Sequence, residues 1–113
     1  MSDYTPDKWL GVKITGRPSE KPVYKIFACW YGGYLGSDSW KLNSGITSIC
    51  ENTDYYFFEG SSGSTYSCRK GCYGASGYGY GILEDMIEKA AANDITIDVM
   101  PEETKWMELN YEN

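Results

Sequence analysis

The segment Gly71-Cys72-Tyr73-Gly74-Ala75-Ser76-Gly77-Tyr78-Gly79-Tyr80-Gly81 holds five glycines and three tyrosines and runs into an apolar-periodic stretch that begins near Ile82. A glycine-rich loop feeding a helix start exposes backbone N–H groups that an anion or phosphate can approach, and tyrosine rings stack on sugars or bases. Gly77, Tyr78, Gly79, Tyr80 and Gly81 are therefore the candidate residues of a small-ligand (nucleotide-type) site. The spacing is neither GxGxxG nor GxxxxGKS/T, no lysine accompanies it, and Glu84 and Asp85 just beyond it repel phosphate. A loop folded over a sheet, with rings on the core and glycines making turns, explains the same residues more plainly.

The second chemical feature is charge. Positions 1–70 carry eight Lys and Arg against seven Asp and Glu, a balance of +1, whereas 71–113 carry two lysines against nine acids, a balance of −7. A field of that sign repels phosphate backbones and anionic membranes and attracts basic protein surfaces. Direct nucleic-acid binding and membrane binding are disfavoured. Glu84, Asp85, Glu88, Glu102 and Glu103 become candidates for contact with a basic partner, the bland alternative being a solvated face that keeps the protein soluble. Trp30, Tyr31, Tyr34 and Trp40 flank a loop over 32–38 and offer an aromatic counterpart. We expect Trp30 and Trp40 buried and Tyr31 and Tyr34 partly exposed as partner-binding residues.

There is no histidine, which removes Ser-His-Asp and Cys-His catalysis and HExxH zinc chemistry. Cys29, Cys50, Cys68 and Cys72 contain no CxxC and only one close pair, a poor match to a tetrahedral zinc set, so no metal and no cofactor are expected. Cys29 and Cys50 read as small buried hydrophobes in a reducing compartment. Arg69 and Lys70 beside Cys68 and Cys72 raise a redox or nucleophilic alternative, but no base lies nearby in sequence. No apolar run approaches the ~18 residues of a spanning helix and no export signal opens the chain, so a cytoplasmic location is expected.

These residues must be positioned by a single domain, 1–113, of 113 residues with 16% aromatics. Leu10, Val12 and Ile14 alternate with Gly11, Lys13 and Thr15, the pattern of a half-buried strand. The run 23–31 is nearly continuous in apolar and aromatic residues, as in a strand covered on both faces. Further short β-prone stretches at 39–42, 46–50, 55–59 and 64–68 are joined by tight polar turns. They predict an α+β fold: an antiparallel meander of five to six strands. Apolar residues at 82, 83, 86, 87, 90 and 91 predict one amphipathic helix over 82–92, covering the strand Tyr55-Tyr56-Phe57-Phe58, with Glu84 and Asp85 near its N-terminus and Asn93 as its left-handed stop. A last short strand over 95–99 and an acidic C-terminal segment follow, with a second short helix or a loose tail over 104–111.

The stretch Tyr24-Lys25-Ile26-Phe27-Ala28-Cys29-Trp30-Tyr31-Gly32-Gly33-Tyr34-Leu35, followed by Asp38-Ser39-Trp40-Lys41-Leu42-Asn43-Ser44-Gly45-Ile46, resembles small uncharacterised accessory (early-region) proteins of tailed DNA bacteriophages. Gly63-Ser64-Thr65-Tyr66 and Tyr73-Gly74 continue the resemblance. It implies a nonessential early product that blocks a host enzyme or defence protein in the host cytoplasm, and it transfers no functional residue. The expected function is a non-enzymatic interaction protein that binds a basic surface of a host protein. The alternatives are a small-ligand binder using 71–81, an enzyme or a virion component. Self-association is left open.

Overall fold

The computed structural model describes residues 3–16, 21–32 and 36–111. Eight strands, β1 (Asp3–Tyr4), β2 (Lys8–Thr15), β3 (Val23–Trp30), β4 (Ser39–Leu42), β5 (Ile46–Glu51), β6 (Tyr55–Gly60), β7 (Thr65–Arg69) and β8 (Thr96–Val99), accompany one helix, α1 (Gly77–Ala91), and a 3₁₀ turn, Trp106–Glu108. They make two four-stranded sheets, one ordered β1-β7-β6-β5 and the other β4-β3-β2-β8. The first is mixed because β1 joins β7 in parallel; the second is antiparallel throughout. The α+β class is as expected. A single five-to-six-strand meander is not, since the strands divide into two three-strand meanders in separate sheets, β2-β3-β4 and β5-β6-β7.

The partition into two sheets is made at Asn43. Its N–H donates to the Ile26 carbonyl at 3.0 Å, and its Oδ1 accepts the Ile26 N–H at 2.8 Å. The side chain thus stands in for the next backbone carbonyl of the ladder and lets the chain leave β4. Gly45, at φ 130°, then turns into β5, a conformation costly for any residue with a Cβ.

Strand periodicity explains the layering. On β2 and β3, Trp9, Ile26 and Ala28 enter the core between the sheets with Phe58, Tyr66 and Cys68. Leu10, Val12, Phe27 and Cys29 point the other way and pack with Leu83 of α1. Side chains alternate across a strand, so this sheet is covered on both faces and β3 reads as a continuous apolar run. The expected helix cover of 55–58 is corrected accordingly. The inner side of β6 is covered by Trp9, which meets Tyr56 and Phe58 at ring-centroid distances of 6.0 and 5.5 Å. On the outer side Tyr55 and Phe57 stack on each other at 6.0 Å, with Arg69 over Tyr55.

Other expectations fail for local reasons. Trp40 is exposed, because β4 is an edge strand, and it lies stacked on Phe27 at 5.6 Å; Trp30 is half-buried. Cys50 is exposed, not buried, being paired with Phe57, whose stacking with Tyr55 marks the outer side of its sheet. The left-handed residue after α1 is Asp94, at φ 61°, not Asn93. The tail is not loose: Trp106 is 1% exposed and meets Trp9, Phe58 and Tyr73 at 5.5 to 6.0 Å between ring centroids.

Candidate functional site

The helix begins at Gly77, five residues before the expected start, so positions 77–81 of the glycine–tyrosine segment form its first turn and are not a loop. Ser76 caps it, its buried hydroxyl accepting the Gly79 N–H at 3.0 Å. The glycine is required by close approach: a Cβ at Gly79 would fall 2.5 Å from the Cys29 sulfur. Burial pushes the Cys29 thiol up, and its hydrogen bonding with Ser76 offsets this in part. Gly77, Tyr78, Tyr80 and Gly81 are exposed while Gly79 is buried on the sheet. The segment therefore does not gather into the expected cradle. Two concavities of about 330 and 250 Å³ lie elsewhere, one lined by Ile14, Lys21, Val23, Asp94 and Ile95, the other by Lys21, Pro22, Tyr24 and Asn110.

Tyr73, the remaining tyrosine of the segment, does structural work. Residues 72–74 bridge to Trp9, with Trp9 N–H donating to Cys72 O at 3.3 Å and Gly74 N–H to Trp9 O at 2.8 Å. The Tyr73 hydroxyl accepts the Gly11 N–H at 3.1 Å and donates to the Met100 carbonyl, joining the middle of β2 to the residue that follows β8. Burial pushes its phenol up to about 12, and Glu102, Tyr80 and Glu103 add to the rise, against a lowering by the Gly11 hydrogen bond. Glu102 and Glu103 thus lie within electrostatic reach of Tyr73, four residues before the helix start.

The acids themselves occupy two neighbouring segments. Glu84, Asp85 and Glu88 are exposed on α1, and Tyr80, Glu84 and Glu88 follow one another at four-residue spacing, one above the next on the same face. No acid occupies the first turn, so the expected helix-dipole role of Glu84 and Asp85 is absent. Asp85 pairs with Lys89 at 2.8 Å. Glu84, Glu88, Glu102 and Glu103 have no cation partner among the described residues. β8 packs beside α1 and carries Asp98 between them in sequence.

Tyr31 is 51% exposed just after the C-terminal end of β3, its N–H donating to Asp7 Oδ2 at 2.8 Å; Tyr34 lies outside the described residues. The structure gives no contact joining Tyr31 to the acids. Exposed rings on the acidic helix itself are Tyr78 and Tyr80, at 48% and 46%. For the sulfur alternative, Cys68 is fully buried and burial raises its thiol well above the ordinary value, opposite to activation. Lys70, which was to activate it, pairs with Glu51 at 2.5 Å. Among the described residues no three Cys, Asp or Glu side chains gather as a metal set, and no helix is long and apolar enough to cross a membrane. Compared with known proteins, the chain matches no family model, no curated protein and no solved structure.

Proposed function

We propose that the chain is a non-enzymatic interaction protein that blocks a basic site on a partner protein, in the manner of a phage-encoded inhibitor of a host enzyme or defence protein. The observation that carries this is the set Glu84, Glu88, Glu102 and Glu103: all exposed, none ion-paired among the described residues, with the exposed Tyr80 one turn before Glu84 and the exposed Tyr78 on the same helix. Unpaired acids on two adjacent segments leave a field that a complementary cationic surface neutralises, which speeds encounter and disfavours acidic partners. Tyrosines beside them supply apolar contact area with a polar tip, the residue type that anchors interfaces.

The test is affinity capture from host lysate with the native protein and with the variant Glu84→Lys, Glu88→Lys, Glu102→Lys, Glu103→Lys, at roughly 0.05 and 0.5 M salt, a range over which screening shortens several-fold. A protein retained by the native chain at low salt and lost from the variant supports the reading. A partner held equally by both, at both salt levels, removes the acids from the interface and shifts it to Tyr31 and the other exposed aromatics.

A further inference from the structure

The antiparallel sheet ends in β8, and among the described residues nothing binds the backbone groups on the outward edge of β8. In an antiparallel pair, hydrogen-bonded and non-hydrogen-bonded residue pairs alternate. Met100 N–H donates to Gly11 O at 2.9 Å, so Gly11 opposite Met100 is of the bonded type. Counting along the register, Lys13 opposite Asp98 is also bonded, whereas Val12 opposite Val99 and Ile14 opposite Ile97 are not. The N–H and C=O groups of Ile97 and Val99 therefore point away from β2, out of the sheet.

The four sheet edges are not equally open. β1 has two residues, β5 is broken by an irregularity between Ile46 and Ser48, and β4 carries Lys41 in mid-strand. Short, bulged or lysine-bearing edges are the usual means of discouraging a further strand. β8 lacks a bulge and a lysine, it ends in the exposed Val99, at 43%, and the exposed Ile95, at 36%, precedes it. From Asn93 to Thr104 there are four acids, Asp94, Asp98, Glu102 and Glu103, all exposed, and no lysine or arginine.

We infer that β8 is a docking edge for an extended basic segment of the partner, which adds as a fifth strand to the sheet. This rests on the reading of a basic partner and names the element by which it is held. Main-chain hydrogen bonds to Ile97 and Val99 supply the attachment, and alternate side chains supply the selectivity. On the α1 side the added strand meets Ile97 and Val99; on the other side it meets Thr96 and Asp98. The segment recognised thus alternates apolar residues with Lys or Arg. A second copy of this chain is the wrong occupant on charge, since pairing β8 with itself brings Asp94, Asp98, Glu102 and Glu103 of both copies together.

The probe is the peptide acetyl-Thr-Lys-Val-Lys-Val-Lys-Thr-amide, with a control in which Glu replaces each Lys, titrated into the native protein and followed by amide hydrogen exchange. Saturation with the basic peptide is expected to slow exchange at Ile97 and Val99 about tenfold or more, leaving Thr96 and Asp98 changed far less because they already face β2. Val99→Pro removes an outward N–H that the fold does not use; it is expected to melt close to the native protein and to abolish the protection. Asp98→Asn keeps every N–H and is expected to weaken binding several-fold. Unchanged exchange at Ile97 and Val99, equal binding of the acidic control, or full binding by a folded Val99→Pro variant overturns the inference, as does concentration-dependent protection of the free protein, which assigns the edge to a second copy. Capture of the lysate partner by Val99→Pro but not by the four-lysine variant overturns the edge alone and leaves the acidic interface standing; capture by neither is expected if both hold.

Discussion

The indole of Trp106 lies against the backbone of Gly11 so closely that a β-carbon at position 11 would sit 2.2 Å from its Cη2. One glycine in the middle of β2 thus admits the last tryptophan of the chain into the core between the sheets. The Tyr111 hydroxyl donates to the Trp106 carbonyl at 2.5 Å, and its ring meets Tyr24 at 5.6 Å between centroids. The C-terminal segment is thereby bound to the inner side of the same sheet whose free edge is β8.

Gly11→Ala is expected to destabilise the protein by roughly 1 to 3 kcal/mol, as overpacking does, and Trp106→Ala by roughly 3 to 5 kcal/mol. The two losses should be far from additive, because removing the indole leaves room for the methyl group. Chemical denaturation of both single variants and the double variant measures this. Additive losses would mean that Trp106 does not pack on Gly11.

Position 79 separates close approach from helix propensity. Gly77 and Gly81 have open space where a Cβ would go, whereas Gly79 does not. Gly77→Ala and Gly81→Ala are expected to stabilise by a few tenths to about 1 kcal/mol, and Gly79→Ala to destabilise. Thermal melts of the three variants decide it. A stabilising Gly79→Ala would detach the first turn of α1 from β3.

How much of this was legible follows from what each signal reports. The β3 run was readable because burial on both faces leaves its mark on every residue, as at Ile26, Phe27 and Ala28. The apolar stripe of α1 was readable from Leu83, Met86 and Ile87, and of these Leu83 is buried while Met86 and Ile87 pack partly against the sheet. Its first turn was not, because glycine is a poor helix former and only the distant Cys29 sulfur explains why position 79 must lack a side chain. Period-2 alternation assigns faces but not partners, so the division into two sheets, made by Asn43 bonding to Ile26, left no local trace. Trp106 sits in a charged, non-periodic tail, and its size was the sole hint of burial. The acidic residues were visible as composition. The closeness of Glu102 and Glu103 to Tyr73 required β8 to run back along α1.

Leu83→Ala is expected to cost on the order of 2 to 5 kcal/mol, and Glu88→Ala about 0.5 kcal/mol or less. Leu83 is 3% exposed between Phe27 and Cys29 of the sheet, whereas Glu88 faces solvent. Urea unfolding of the two variants makes the comparison, and similar losses would place the helix in the wrong rotation.

One buried tyrosine, Tyr66, and two half-buried ones, Tyr73 and Tyr111, tie stability to alkaline pH. Burial raises the phenols of Tyr66 and Tyr73 to about 12, and that of Tyr111 upward as well, because a phenolate loses its water on entering the core. For a group whose folded pKa lies above its unfolded value of about 10, the neutral form is favoured by the fold, so its contribution is complete below pH ~10. It is lost as pH rises toward 12, because the unfolded chain releases these protons first. Stability should therefore hold at mild alkaline pH and fall steeply between about pH 10 and 12, with late tyrosinate absorbance appearing together with loss of the near-ultraviolet circular dichroism. Tyr73→Phe removes the hydroxyl between Gly11 and Met100 and one of the three late phenols. It should lower stability at neutral pH by about 1 to 3 kcal/mol, through the unsatisfied Gly11 N–H, and flatten the alkaline fall. An alkaline fall as steep as that of the native protein would remove Tyr73 from the titrating set.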